Sequence, residues 1–156
     1  MIDTADTAQV VVRPPIAWLL SVLVGLALHW LMPLPFMPPA VSAGWIGGVV
    51  FAAALALFAW AIVTITRAGS NVPTNTPTMA IVETGPYRFT RNPIYLAMFF
   101  GLVGLGMAFD SLWLLAVLVP FALVIRTGVV AREEAYLERK FGDVYGAYRS
   151  RVRRWL

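Results

Sequence analysis

Residues 85–95, Gly-Pro-Tyr-Arg-Phe-Thr-Arg-Asn-Pro-Ile-Tyr, crowd turn formers, aromatics and two arginines between segments that are plainly lipid-soluble. Gly85-Pro86 signals a turn. Asn92-Pro93 reads as a helix start, with Asn92 as the N-cap and Pro93 at the first helical position, where its missing N–H costs nothing. The free N–H groups and positive dipole end of that helix are expected to face Arg88 and Arg91. Such a combination suits an anion, a carboxylate or a phosphate. Capping accounts for Asn92 and Pro93, and basic residues beside a membrane segment are usual on the cytoplasmic side. Neither accounts for Tyr87, Arg91 and Tyr95, which become candidate ligand-binding residues.

Outward from this element the chain is apolar. Of 156 residues 60% are hydrophobic and only 13% charged, whereas a soluble domain is nearer half apolar and a quarter charged. This composition specifies an all-α integral membrane protein. The net charge of +4 would suggest nucleic acid in a soluble chain. Here the basic residues flank apolar spans, a pattern of membrane topology and anionic lipid, with nucleic acid the weaker reading. The absence of cysteine excludes disulfides, thiolate metal sites and cysteine nucleophiles. His29 is the one histidine and sits among Leu28, Trp30 and Leu31, so no metal site is expected.

Met1 to Val12 carries Asp3 and Asp6 and lacks the basic start of a secretory signal, so it is read as a short tail before a retained anchor. Ile16 to Leu31 is the first expected span, and the charge-free connector Met32 to Ala43, with Pro33, Pro35, Pro38 and Pro39, follows it on the far side. Trp30 and Trp45 flank that connector as interfacial aromatics. Gly44 to Ile65 is the second span, with Gly44, Gly48, Ala52 and Ala56 as a small-residue packing face. Residues 1–67 thus form a two-helix anchor, and 68–156 the part expected to carry function within one membrane domain. The polar stretch Ala68 to Asn92 is long for a connector, as functional loops are. Ile94 to Phe109 and Leu112 to about Val130, joined by Asp110-Ser111 as a cap, are the third and fourth helices.

Beyond Thr127 the pattern becomes that of an amphipathic helix. Val130, Glu134, Leu137 and Phe141 fall on one stripe, so Glu134 lies on the apolar face and needs a partner. Glu133 lies about 100° around, and spacing leaves open which acid points into the bundle. Tyr145, Tyr148 and Trp155, alternating with Arg149, Arg151, Arg153 and Arg154, suit a segment at the headgroup level. Arg13, Arg67, Arg88, Arg91 and this tail fall on one side of a four-helix arrangement, which puts both termini in the cytoplasm.

The blocks GPYRFTRNPIYL and REEAYLERKFGDVYGAYRSRVRRW, separated by a short helical hairpin, resemble the isoprenylcysteine carboxyl methyltransferase and phospholipid methyltransferase superfamily of small membrane enzymes. The resemblance covers roughly Asn71 to Trp155. It implies S-adenosylmethionine as methyl donor, bound where the cytoplasmic end of the last helices meets the C-terminal segment. Arg91, Pro93 and Tyr95 match the family's Arg-His-Pro-x-Tyr element, Glu133 and Glu134 its paired acids near the cofactor, and Gly104 and Gly106 the Gly-x-Gly of the phospholipid branch. Gly104-Leu105-Gly106 by itself reads as a packing face, since no strand precedes it. With the resemblance, the expected cofactor-binding residues are Tyr87, Arg88, Arg91, Asn92, Pro93, Tyr95, Gly104, Gly106, Glu133 and Glu134, and the expected catalytic ones Arg91, Tyr95 and Glu134. The sequence departs from the family at Asn92, where isoprenylcysteine enzymes commonly have His, and near Thr78, where many members place another.

Methyl transfer from a sulfonium needs positioning and exclusion of water rather than a covalent nucleophile. Arg91 at the helix start suits the donor's carboxylate, and Glu133 or Glu134 its ammonium or hydroxyls. The expected acceptor is lipophilic: a prenyl-type or other small hydrophobic carboxylate or thiol, ahead of a phospholipid amine, because no histidine lies near either motif to take a proton. Phe99, Leu102 and Phe109 are its expected apolar walls. Small residues at Ala97, Gly101, Gly104 and Ala108 suit either close helix packing or a lipid chain. A non-enzymatic four-span scaffold that grips lipid with its basic tail is the alternative, and oligomeric state is left open.

Overall fold

The computed structural model describes residues 6–38, 44–72 and 76–156; Asp3, Pro39 and residues 73–75 of the polar loop lie outside it. Among the described residues the protein is all helical. Helices α1 (Pro14–Leu31), α2 (Gly44–Arg67) and α3 (Pro93–Ala108) are followed by a nearly continuous helical run. That run comprises α4 (Leu112–Ala116), α5 (Leu118–Leu123), a π-helical stretch Val124–Val130 and α6 (Ala131–Arg151). Three helices are long and apolar enough to cross a membrane: α1, α2 and the Leu112–Arg151 run. The third expected helix, α3, has 16 residues, about 24 Å of helix against ~30 Å of hydrocarbon, and is a shorter apolar helix.

Helix α3 is the one buried by the others, with Tyr95, Ala97, Met98, Gly101 and Leu102 all inside. Its main partner is α2, and the two backbones touch. A Cβ on Gly47 would stand 2.2 Å from the Ala108 amide nitrogen, and one on Gly104 2.6 Å from that of Phe51. The expected small face of α2 is therefore corrected. Gly48, Ala52 and Ala56 point outward, while Gly47, Ala54 and Ala61 are buried. Their spacing of seven residues is close to two helical turns and keeps the small side chains on one seam, whereas steps of four drift around the helix.

Helix α1 joins through Trp18, whose Nε1 donates to the Met98 carbonyl at 2.9 Å, and through Gly25 against Leu114. At the opposite end from residue 93 the α3–α4 corner clamps the connector after α1. Ser111 caps α4 by accepting from the Leu114 amide. Asp110 does not cap; its carboxylate accepts from the amides of Phe36 and Met37, each at 2.9 Å. Trp30 and Trp45 are exposed, as interfacial aromatics are.

The expected single C-terminal amphipathic helix is a folded-back one. Gly142 has φ 48° and ψ −121° inside α6, a conformation open to glycine. Arg154 reaches Glu134, twenty residues back, where a straight helix would have carried it about 30 Å away. The reversal buries Tyr145 and Tyr148 and sets Trp155 edge-on to Phe99 at 5.7 Å. Tyr145 and Tyr148 are internal and Trp155 is half-buried against the core, rather than free at the headgroup level.

Candidate functional site

The polar loop, the start of α3 and both arms of α6 enclose a cavity of about 140 Å³. Its floor is the 85–95 element. Gly85–Arg88 forms a 3-10 turn, with Pro86 and Tyr87 buried, and Gly85 adopts φ 56° where its missing Cβ leaves room for Thr64. Asn92 occupies the N-cap position of α3 with Pro93 following, but its side chain makes no capping bond. Nδ2 donates instead to the Arg154 carbonyl at 2.9 Å, which the returning C-terminal segment brings within reach. Thr90 Oγ1 donates to the same carbonyl, and the Arg91 amide to that of Arg153. The element and the C-terminal segment are thus stitched together by backbone groups.

Arg91, Tyr95, Glu133 and Glu134, remote in sequence, share this wall. Glu134 is 9% exposed, forms an ion pair with Arg91 Nη1 at 3.1 Å and accepts hydrogen bonds from the Arg154 guanidinium, Nε at 3.0 Å. Arg91 Nη1 also donates to the Tyr145 hydroxyl at 3.0 Å. Spacing showed that Glu134 needs a partner, and it has two. Glu133 forms no ion pair among the described residues; its Oε1 accepts from the Tyr95 hydroxyl at 2.6 Å. The apolar segment ends at Val130, so Glu133 lies beyond it. Burial pushes its carboxyl up to about 7, against the lowering effect of the Tyr95 hydrogen bond and with some help from the Glu134 charge.

Two buried polar atoms in this wall have no partner among the described residues: the Tyr87 hydroxyl and Arg91 Nε. Burial also drives the Tyr87 phenol well above its ordinary range, so it stands as a neutral O–H donor. Orphaned buried donors are costly, and in a cavity wall they are what a ligand satisfies. Tyr148 fixes the floor by donating to the Tyr87 carbonyl at 2.8 Å.

The remaining expected site residues go elsewhere. Arg88 is exposed, 5.8 Å from the Phe89 ring centroid, and does not line the cavity. Gly104 packs on Phe51 and Gly106 on Leu115; both are packing positions, and neither lines the cavity. Sequence reading missed Tyr136, Tyr145, Tyr148 and Arg154 as site residues. Tyr145 and Tyr148 lie three residues apart and are turned inward by the reversal at Gly142, whereas Tyr136 is already buried on the arm before it.

A second, apolar cavity of about 210 Å³ lies between α1, α2 and α3, lined by Trp18, Phe51, Ala54, Phe58, Ala97 and Gly101 among others. Ala97 and Met98 stand one turn along α3 from Ile94 and Tyr95 of the first cavity. The small residues of α3 therefore divide: Ala97 and Gly101 leave space, while Gly104 and Ala108 close onto α2. Leu102 is core, Phe99 packs on Phe121, and Phe109 is exposed; none of the three lines this groove.

The profile of the phospholipid methyltransferase family matches residues 42–144, about two thirds of the chain. The chain belongs to the phospholipid methyltransferase family. The matched region holds the 85–95 element, α3 and both glutamates, and this member of the isoprenylcysteine/phospholipid methyltransferase superfamily adds Tyr145, Tyr148 and Arg154 from beyond it. The chain is 55% identical over 47 residues to an uncharacterized protein of Haemophilus influenzae, covering 30% of this chain and 73% of that protein. It is 38% identical over 63 residues to the nickel-cobalt-cadmium resistance protein NccN of Alcaligenes xylosoxydans xylosoxydans, covering 40% of this chain but 30% of that longer one. No group of histidine, cysteine or acidic residues able to hold a metal occurs among the described residues. No solved structure matches.

Proposed function

We propose that this phospholipid methyltransferase family member is an S-adenosylmethionine-dependent enzyme. It acts at the cytoplasmic membrane face on a lipophilic acceptor that enters from the bilayer. The observation that carries the reading is the pair of orphaned donors, Tyr87 hydroxyl and Arg91 Nε, on residues of a mixed polar and apolar cavity one helical turn from an apolar intramembrane groove. The residues present fit the donor. Arg91 and Tyr87 would hold its carboxylate or hydroxyls, and Glu133, the acid without a cationic partner, would hold its ammonium. When bound, S-adenosylmethionine supplies a methyl group on a sulfonium, transferred by in-line displacement. The protein's part is to align the two partners and exclude water. Glu134 serves by fixing Arg91 rather than by touching the donor. The apolar groove would hold the acceptor's chain, with its reactive end toward Ile94 and Tyr95.

For the acceptor, a hydrophobic carboxylate or thiolate needs no base. A second reading, a phospholipid-type amine, is favoured by Glu133. Its carboxyl, raised to about 7, is a proton acceptor that histidine scarcity had hidden. In this reading Glu133 would take the proton from the acceptor's ammonium and leave its nitrogen lone pair free, and the donor's ammonium would be held without it.

The test is calorimetric binding of S-adenosylmethionine to the purified protein, followed by incubation with methyl-labelled donor and host lipid extract. Alkali releases the label from a carboxyl ester and leaves it on nitrogen or sulfur. Absence of both binding and transfer would sink the proposal.

A further inference from the structure

The segment before α1 reads as a short tail in the sequence, yet residues 6–13 pack against the cavity. Thr7 and Ala8 are buried, and Ala8 forms part of the cavity wall. The near end is pinned to the bundle: the Val11 amide donates to the Gly128 carbonyl at 3.0 Å, and Val10 packs on the core. Arg132 Nη1 donates to the Gln9 carbonyl at 2.9 Å. Gln9 itself is exposed and turns through φ 45°, a sparsely populated conformation for a residue with a Cβ. The far end rests on α6, where Lys140 Nζ lies 2.7 Å from Asp6 Oδ2. The Tyr136 hydroxyl is 3.0 Å from Asp6 Oδ1, and it also accepts from the Thr78 amide at 3.1 Å. Tyr136 therefore ties two separate edges of the cavity mouth, the N-terminal segment and the polar loop, to one point.

We propose that residues 6–13 are a hinged strap that covers the cavity and retains its ligand, latched by Asp6 on Lys140 and with Tyr136 as the positioning residue. The end near α1 is held by a backbone hydrogen bond and buried apolar packing. The far end carries Thr7 and Ala8 against the wall, two Tyr136 hydroxyl contacts to Asp6, and as its latch a solvent-exposed ion pair, with Asp6 46% and Lys140 26% exposed in their side chains. Such a pair shifts an equilibrium by at most about fivefold and weakens with salt. A latch of that strength opens readily without unfolding the bundle. Ala8 would then swing from the wall about Gln9 and leave the cavity open to water.

The inference rests on the methyl-donor reading only for the identity of what is retained. In the full chain in lipid nanodiscs, Asp6→Asn and Lys140→Met should each speed release of S-adenosylmethionine about two- to fivefold in stopped-flow exchange. The reversed pair Asp6→Lys/Lys140→Asp should restore slow release, which a merely structural role for either residue would not produce. A ligand-free arm judges the strap by itself. A single cysteine at Leu137, in the cavity wall beside Tyr136, should react faster with a maleimide when Asp6→Asn is added. Equal labelling rates overturn the strap, and faster labelling with unchanged release overturns its retaining role. If the unaltered protein binds no S-adenosylmethionine, the cofactor reading fails while the labelling comparison still decides the strap.

Discussion

Replacing Glu134 by alanine should destabilise the protein through the charge it leaves behind. Its carboxylate lies between Arg91, whose side chain is 9% exposed, and Arg154, which is 34% exposed. With the carboxylate gone, Arg154 can rehydrate and contributes about 0–1 kcal/mol to the loss. Arg91 cannot. Its Nε already lacks a partner, and only the Tyr145 hydroxyl would remain on Nη1. Removing one partner of a buried pair costs about 3–5 kcal/mol, and the lower end is expected here because the cavity admits some water. For a chain of this size, about 3 kcal/mol corresponds to a fall in Tm of roughly 6–12 °C. Glu134→Gln keeps one acceptor oxygen and should lose about half as much. Thermal unfolding in detergent measures these, and the double variant Glu134→Ala/Arg91→Leu completes a cycle. Removing the stranded guanidinium should recover about 1–3 kcal/mol as coupling. Strict additivity, or a Glu134→Ala protein within about 1 kcal/mol of the parent, would refute the idea that Glu134 neutralises Arg91.

Glu133 sets a pH dependence of the opposite sign to that of an ion-paired acid. Its folded-state value of about 7 exceeds the ordinary 4.5, so the folded state binds more protons and stability falls as pH rises from about 4.5 to 7. Glu133→Gln should flatten this part of the Tm–pH curve, and an unchanged slope would show that this half-buried acid does not carry the raised value. Gly47→Ala should cost about 1–3 kcal/mol, because its Cβ meets the α3 backbone, whereas Gly48→Ala, with nothing within 4 Å, should stay within about 0.5 kcal/mol; equal effects would contradict the α2–α3 seam. For sidedness, single cysteines at Ala40 and Ser150 in this cysteine-free chain should label from opposite faces, Ala40 from outside. Outside labelling of Ser150→Cys would invert the topology.

Composition alone determined that the chain is a helical membrane protein, because 60% apolar residues in long uncharged runs have no other soluble or lipid-soluble arrangement. The start of α3 at Pro93 and the inward position of Glu134 were also legible, since proline preference and helical periodicity are local properties. Two motif blocks sufficed for the family. The small residues were legible as a class but not in their pairing: Gly47 rather than Gly48 meets α3, because the approach of two helices fixes which side of each is used. The partners of the paired acids were not legible either. Glu134 is neutralised by Arg91 at the start of α3 and by Arg154, and the latter comes within reach only because Gly142 reverses α6. The N-terminal segment, short and mixed in character, has no periodicity that would mark it as part of a wall. Its place is set by a backbone hydrogen bond to Gly128 and a tyrosine 130 residues away in sequence. Such contacts arise from chain path, which no local pattern encodes.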